Sequence, residues 1–272
     1  MRRFLTPKAV IGFVIIAVMV TIAIVAPLLI PASFGTRMQM ALRLSPPTGG
    51  HWLGTDQLGR DLFYRVLLGA RTSLGIAGSA VAISVAFGLP LGIVSGYFGG
   101  WVDVVLMRLV DTLLSFPALL LALTISAMLS PSVPNTIIAI GVAFTPFLAR
   151  IIRGEALRVA QMPYVEAARA TGTTDFWMII RHVLPNVLPL VIVQGTISLA
   201  FAILAEAGLS FLGLGTQPPQ SSWGLMIQTS RDYLDVAPWT ALVPGAAVAI
   251  TVLALNMFGD VLRDVLDPRA SR

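Results

Sequence analysis

Residues able to do acid–base or metal chemistry are few in this chain of 272 residues, which holds 13 Asp and Glu, two His and no Cys. The absence of cysteine excludes a disulfide framework, a thiolate metal site and a cysteine nucleophile. His51 and His182 are far apart and lack acidic partners at metal-ligand spacing. The glycines at 208, 213 and 215 fit neither nucleotide-binding pattern, and no serine lies in a nucleophile elbow. The sequence therefore predicts no enzyme, no metal site and no cofactor bound by this chain.

Four of the ionisable residues next to or within apolar runs are candidates for a functional role. Glu206 ends one such run, in LAEAGLSFLGLG, and could be either a proton site or an interfacial residue; its position favours the second. Asp103, Arg108 and Asp111 fall at i, i+5 and i+8 near the start of another run. Charges at the middle of a membrane are costly, so we expect an interfacial cluster or pairing among these three residues, with a role near a gate as the alternative.

The composition identifies a membrane protein. Hydrophobic residues make up 56% of the chain, charged residues 11%, and the mean hydropathy is +0.86. The net charge of +5 comes from basic residues spread singly between apolar runs, which is typical of orientation signals rather than of nucleic-acid binding.

The chain contains six apolar runs. Each is long enough to span a membrane, or can do so if its helix continues beyond the run. They cover 9–30, 72–96, 102–129, 136–149, 187–205 and 239–258. We therefore predict an all-α polytopic membrane protein with six transmembrane helices. The first run is too long for a cleavable signal and is interpreted as a retained anchor.

Residues 31–71 form a polar segment rich in Pro and Gly between the first two runs. Thr55 or Asp56 could cap a helix whose apolar side chains recur at i, i+4 spacing from Leu58 to Ala70. We expect this helix to lie along the membrane surface, with contact to substrate as the alternative. The chain is then divided into a first segment (1–30), an extracytoplasmic segment (31–71) and a core (72–272) containing a polar loop (150–185).

Basic residues predict the orientation of the spans. With six spans, twelve of the 18 Lys and Arg residues fall on the side of the amino terminus and six on the other side. Lys and Arg are enriched in the cytoplasmic loops of membrane proteins. Both termini and the 150–185 loop are therefore predicted to be cytoplasmic.

Small residues recur every fourth position in the second run, at Gly88, Gly92 and Gly96, with Pro90 between them. This spacing allows the backbone of another helix to approach closely. Tight helix packing is favoured over a moving or pore-lining role.

The 150–185 loop is the longest polar interval between apolar runs. Pro163 should end the helix before it, and Gly172 should end a short helix over 163–171. That helix would expose Tyr164, Glu166 and Arg169 among small alanines. The loop is interpreted as a docking surface for another protein.

A second short helix is predicted over 175–184, capped by Thr173 or Thr174 and stopped by Pro185. Its apolar group of Phe176, Trp177 and Ile180 could either serve docking or be buried against the spans.

At this loop the chain resembles the permease subunits of ATP-binding cassette (ABC) importers, whose cytoplasmic signature is Glu-Ala-Ala, three residues, Gly, nine residues, then Ile-x-Leu-Pro. His182 stands where the pattern has Ile. The matching positions are Glu166, Ala167, Ala168, Gly172, Leu184 and Pro185. HWLGTDQLGRDLFYRVLLGARTSL, GYFGGWVDVVLMRLVDTLLSFP and AEAGLSFLGLGTQPPQSSWG are similar to the dipeptide, oligopeptide and nickel group, in particular to the second of its two paired permeases.

The resemblance implies a type I ABC importer permease fold, with a five-helix core and an additional first span. It implies a heterodimer with a homologous permease, two ATPase subunits that use ATP, an extracytoplasmic binding protein, and a bacterial or archaeal cytoplasmic membrane. The cargo would be di- or oligopeptides, with nickel, glutathione or another small solute as the alternatives. The implied ATPase-coupling residues are Tyr164, Glu166, Ala167, Ala168, Arg169, Thr171 and Gly172. An ion-coupled secondary transporter, with Glu206 as its weak candidate acid, and a receptor or scaffold subunit are the other function classes considered.

Overall fold

A computed structural model describes residues 7–266 of the chain. The basic residues Arg2, Arg3, Arg269 and Arg272, which contribute to the predicted orientation, lie outside this range. The described residues form helices and connecting turns, with no β-strand among them. The helices are α1 (Pro7–Leu29), α2 (Ala32–Thr36), α3 (Leu62–Phe98), α4 (Gly100–Leu114), α5 (Ala118–Leu129), α6 (Val133–Ala160), α7 (Pro163–Ala170), α8 (Asp175–Met178), α9 (Leu184–Phe211), α10 (Trp223–Ser230) and α11 (Trp239–Leu266).

The predicted all-α membrane architecture is confirmed. Four helices are each long and apolar enough to cross a membrane, namely α1, α3, α6 and α11, and the continuous segment Asp175–Phe211 is a fifth. The pair α4 and α5 makes a sixth if it is counted as one broken span.

The third apolar run was expected to form one helix over 102–129, and this is wrong. The chain bends by 84° between α4 and α5. Pro117 has no backbone N–H to continue the helix, and its ring disfavours helical conformation at Phe116. The helix therefore stops at Leu114 and restarts at Ala118.

The prediction of a separate surface helix before the second span is also wrong. The Asp56 carboxylate accepts the N–H groups of Leu58 and Arg60, both at 2.9 Å, and forms a turn instead of a cap. Asp61 is the actual cap and accepts the Phe63 N–H at 2.8 Å. From there α3 runs without interruption across the expected boundary at 71 to Phe98.

Pro185 does not stop the helix that begins at Asp175. A π-helical turn over Ile179–Val183 joins α8 to α9, and Pro185 falls in the first turn of α9. The wider π turn accommodates a proline because it shifts the hydrogen-bond pattern away from the missing N–H. As a result, α6 covers the first part of the 150–185 loop, up to Ala160, and the next long helix covers its last part, from Asp175. Only α7 and short turns lie between them.

The glycines at 88, 92 and 96 lie along the contact between α3 and α6. A Cβ atom at Gly92 would lie 2.7 Å from the Ala149 carbonyl oxygen, and one at Gly96 would lie 2.5 Å from that of Arg153. At Gly88 the nearest atom would be the Thr145 carbonyl oxygen, at 3.1 Å. Because these neighbours are backbone atoms, any side chain here would push the two helices apart.

Gly92→Ala should therefore destabilise the protein by about 1–3 kcal/mol, the usual cost of overpacking. The matched control is Gly78→Ala, also in α3, where a Cβ meets no atom within 4 Å. The measurement is the thermal unfolding of the purified protein in detergent. Equal melting temperatures for the two variants would contradict the close α3–α6 contact.

Candidate docking surface and the residues behind it

The two ends of the helical bundle differ, and we name each after its short helix. At the α7 end, α3 and α6 finish and Asp175–Phe211 begins. At the α10 end, Asp175–Phe211 finishes and α11 begins.

Helix α7 has sharply defined ends. Pro163 occupies its first turn, where a missing N–H costs nothing. At the other end the Gly172 N–H donates to Arg169 O at 3.0 Å and the Thr173 N–H donates to Ala168 O at 3.3 Å. This is a Schellman motif, and Gly172 adopts the positive φ of +85° that it requires. Both predicted breaks in the loop, at Pro163 and Gly172, are confirmed.

One face of α7 is fixed to the protein and the other is free. Val165 is fully buried and packs in an apolar cluster with Val159, Met178 and Val183. The opposite face is formed by the residues predicted to couple to another protein. Tyr164, Glu166, Ala167, Arg169, Thr171 and Gly172 are exposed, and Ala168 is half-buried.

Apolar side chains beside α7 extend the exposed surface. The exposed fractions are 66% for Phe176, 47% for Trp177 and 39% for Ile180. The Arg181 guanidinium lies 4.5 Å from the Trp177 ring centroid. Of the two interpretations of this group, burial against the spans is wrong. We call α7 with these residues the docking surface.

Tyr97, at the end of α3, connects the docking surface to the spans. The Arg169 guanidinium lies 5.6 Å from the Tyr97 ring centroid, and the Tyr97 hydroxyl donates to the Asp175 carboxylate at 2.6 Å. Neither Tyr97 nor Asp175 was predicted from the sequence to lie in this site. The adjacent Gly96 was a usable signal, because a tyrosine following the last glycine of a close helix contact lies at the end of that contact.

A second connection joins α7 to the start of α9. The Asn186 side-chain amide donates to the Tyr164 hydroxyl at 3.1 Å and to His182 O at 2.7 Å. The His182 ring lies 6.1 Å from that of Tyr164. His182 therefore packs beside α7, where the permease signature has isoleucine.

The predicted cluster of Asp103, Arg108 and Asp111 does not pair within itself. Arg153 of α6 binds Asp103 through two nitrogens, its Nε lying 2.5 Å from the carboxylate, and Asp111 pairs with Arg150. Helix periodicity places the two acids on the face of α4 that meets α6. Arg108 makes no ion pair within residues 7–266.

The two ion pairs are unequal. The Asp111 and Arg150 side chains are about half exposed, so solvent screens their attraction. The Asp103 and Arg153 side chains are more buried, and their contact is bidentate. The Ser95 hydroxyl also donates to the Asp103 carboxylate. Asp103 thus joins α3, α4 and α6 at the α7 end.

Glu206 was expected to be interfacial, and this is wrong, because its side chain is fully buried. The hydroxyls of Ser73 and Ser210 donate to its carboxylate at 3.1 and 2.8 Å. Ser73 also accepts the backbone N–H of Trp223, the first residue of α10, at 3.1 Å. Glu206 is buried because α10 folds back over the end of α9, which sequence periodicity does not reveal.

No cluster of three or more His, Cys, Asp or Glu suitable for a metal ion occurs in the part of the chain that the structure describes. The surface at the α7 end exposes small, charged and aromatic side chains.

Comparison with known proteins shows that the chain is similar to membrane subunits of transport systems. The family described as "Binding-protein-dependent transport system inner membrane component" matches residues 88–272. The dipeptide transport system permease protein DppC of Alkalihalophilus pseudofirmus is 42% identical over 96% of this chain and 86% of its own length. The glutathione transport system permease protein GsiD of Pectobacterium atrosepticum is 38% identical over 98% of this chain and 89% of its own.

Solved structures support the fold. An inward-facing structure of the MetNI methionine ABC transporter matches with a TM-score of 0.61 at 18% identity, covering 76% of this chain and 98% of that one. The predicted type I ABC importer permease fold is confirmed.

Replacing Glu206 by Ala should destabilise the protein by about 1–3 kcal/mol for each buried hydroxyl left without a partner. Glu206→Gln, which keeps the volume and part of the hydrogen bonding, should cost less. Glu155→Ala is the control, because Glu155 pairs with Arg158 at the surface and its loss should cost a few tenths of a kcal/mol. The measurement is thermal unfolding. If the Glu206→Ala variant melted at the same temperature as the control, Glu206 would not stabilise the packing of α10 on α9 through these hydrogen bonds.

Proposed function

Because this chain belongs to the family of binding-protein-dependent transport system inner membrane components, we propose that it forms half of the path through which an ATP-driven importer carries peptides. The other half would come from a homologous permease in a heterodimer. The relatives named for dipeptides and for glutathione, itself a short peptide, favour peptides over nickel as the cargo.

The docking surface would bind the ATPase subunits. The observation that carries this proposal is a short helix with rigid ends, seated on buried Val165, whose outer face is free. The small side chain of Ala167 and the bare backbone at Gly172, where an added Cβ would meet no atom within 4 Å, leave room for a cleft to close around the helix. Glu166 would supply a charge contact.

Motion of α7 would reach the spans by two routes. Arg169 and Asp175 meet at Tyr97 on α3, and the glycine contact joins α3 to α6, the helix that leads into α7. ATP binding can shift the spans only if the ATPases contact α7 differently in their two states. Because these connections are short and fixed, α7 and the adjoining ends of α3 and α6 would move as a rigid unit.

The distribution of basic residues supports an orientation with the α7 end and both termini in the cytoplasm. The ATPase subunits would then dock from inside and hydrolyse the ATP, while an extracytoplasmic binding protein would deliver peptide at the α10 end. The membrane would be the cytoplasmic membrane of a bacterium or archaeon.

Gly172→Pro should abolish transport while the complex still inserts in the membrane. Proline requires φ near −65°, whereas Gly172 has φ of +85°, so the end of α7 must change direction. Gly172→Ala is the graded comparison, because alanine tolerates positive φ at a cost of about 1–2 kcal/mol. The measurement is ATP-dependent peptide uptake by the reconstituted complex. Normal uptake by the proline variant would refute the coupling role of α7.

Glu166→Lys should weaken association with the ATPases by about tenfold or more, as expected for loss of a charge contact across an interface. Glu166 makes no ion pair inside the described chain, so the fold should be unaffected. Asp235→Lys is the matched control, since Asp235 is an exposed acid at the α10 end. Co-purification of the ATPase subunits is measured for each variant. Equal recovery with both variants would count against ATPase docking at Glu166.

A further inference from the structure

Arg71 is an exposed arginine on α3 that makes no ion pair with any residue between 7 and 266. Two other arginines nearby, Arg60 and Arg65, share the buried carboxylate of Asp56. Arg71 instead lines a cavity together with Pro27 and Ile30, where span α1 ends. The guanidinium therefore lies at the depth where an apolar helix leaves the hydrocarbon, which is the level of lipid phosphates.

Two cavities meet at Arg71. The first, of about 560 Å³, reaches the α10 end and is lined in part by polar side chains, including Thr72, Gln220 and Ser221. The second, of about 520 Å³, follows α1 from Leu28 down to Val20, and apart from Arg71 it is lined only by apolar side chains and Gly75.

The second cavity lies beside apolar side chains of α1 that the described part of the chain leaves exposed. Along it Val20, Ile24 and Leu28 have exposed fractions of 45%, 61% and 79%. The buried residues of α1, namely Ala9, Gly12 and Ala26, are few, so this helix lies at the periphery of the bundle.

The two cavities are complementary to an amphipathic ligand, with an anionic group at Arg71 and an apolar chain beside α1. We propose that the groove between α1 and α3 binds a phospholipid, with its phosphate on Arg71 and one acyl chain in the second cavity. A peptide does not fit, because the apolar cavity offers no partners for its backbone N–H and C=O groups. A phosphate accepts the charge-assisted hydrogen bonds that arginine donates.

The test uses the complex of this chain with its paired permease and ATPase subunits, reconstituted in phosphatidylethanolamine and phosphatidylglycerol vesicles. After re-extraction in mild detergent, retained phospholipid is counted by native mass spectrometry. Arg71→Gln removes the charge. Gly75→Leu fills the groove where an added Cβ meets no atom within 4 Å, so the helix itself is not disturbed.

Both variants should retain the bound lipid about tenfold less well, as expected when a charge-assisted contact or the space for a chain is lost. Arg71→Lys and Gly78→Leu should retain it; Gly78 also has free space for a side chain but is absent from both cavity linings. Undiminished lipid with Arg71→Gln and Gly75→Leu would overturn the proposal. Loss of the paired permease from Arg71→Gln with unchanged lipid would also overturn it, since Arg71 would then pair with a carboxylate of that subunit.

Discussion

The close contact of α3 with α6 is the constraint on which the rest of the structure depends. Three glycines bring the backbones together because no side chain separates them. The contact continues to the α7 end, where Ser95 and Arg153 meet at the carboxylate of Asp103. A side chain at Gly92 would separate these groups as well as the helices.

The docking surface is built at the end of this contact. Helix α6 leads directly into α7, and α3 ends at Tyr97, against which Arg169 and Asp175 pack. A partner that displaced α7 would therefore act on both helices together. This arrangement fixes a helix of only eight residues to both of these long helices.

Features set by local chemistry were predictable from the sequence, and features set by tertiary contacts were not. The ends of α7 follow from Pro163 and Gly172, each of which dictates its own backbone geometry. The partners of Asp103 and the burial of Glu206 depend on segments distant in sequence, Arg153 and α10. Pro185 does not end the helix because a π turn precedes it, and a π turn has no clear signal in the sequence.

We propose that ATPase subunits acting on the docking surface drive peptides through a path formed partly by this chain. The most direct measurement is peptide uptake into proteoliposomes containing this chain, its paired permease, the ATPase subunits and the binding protein. Uptake should require ATP and cease when the ATPase subunits are omitted. Uptake driven by a proton gradient without those subunits would contradict ATP-driven transport by this chain.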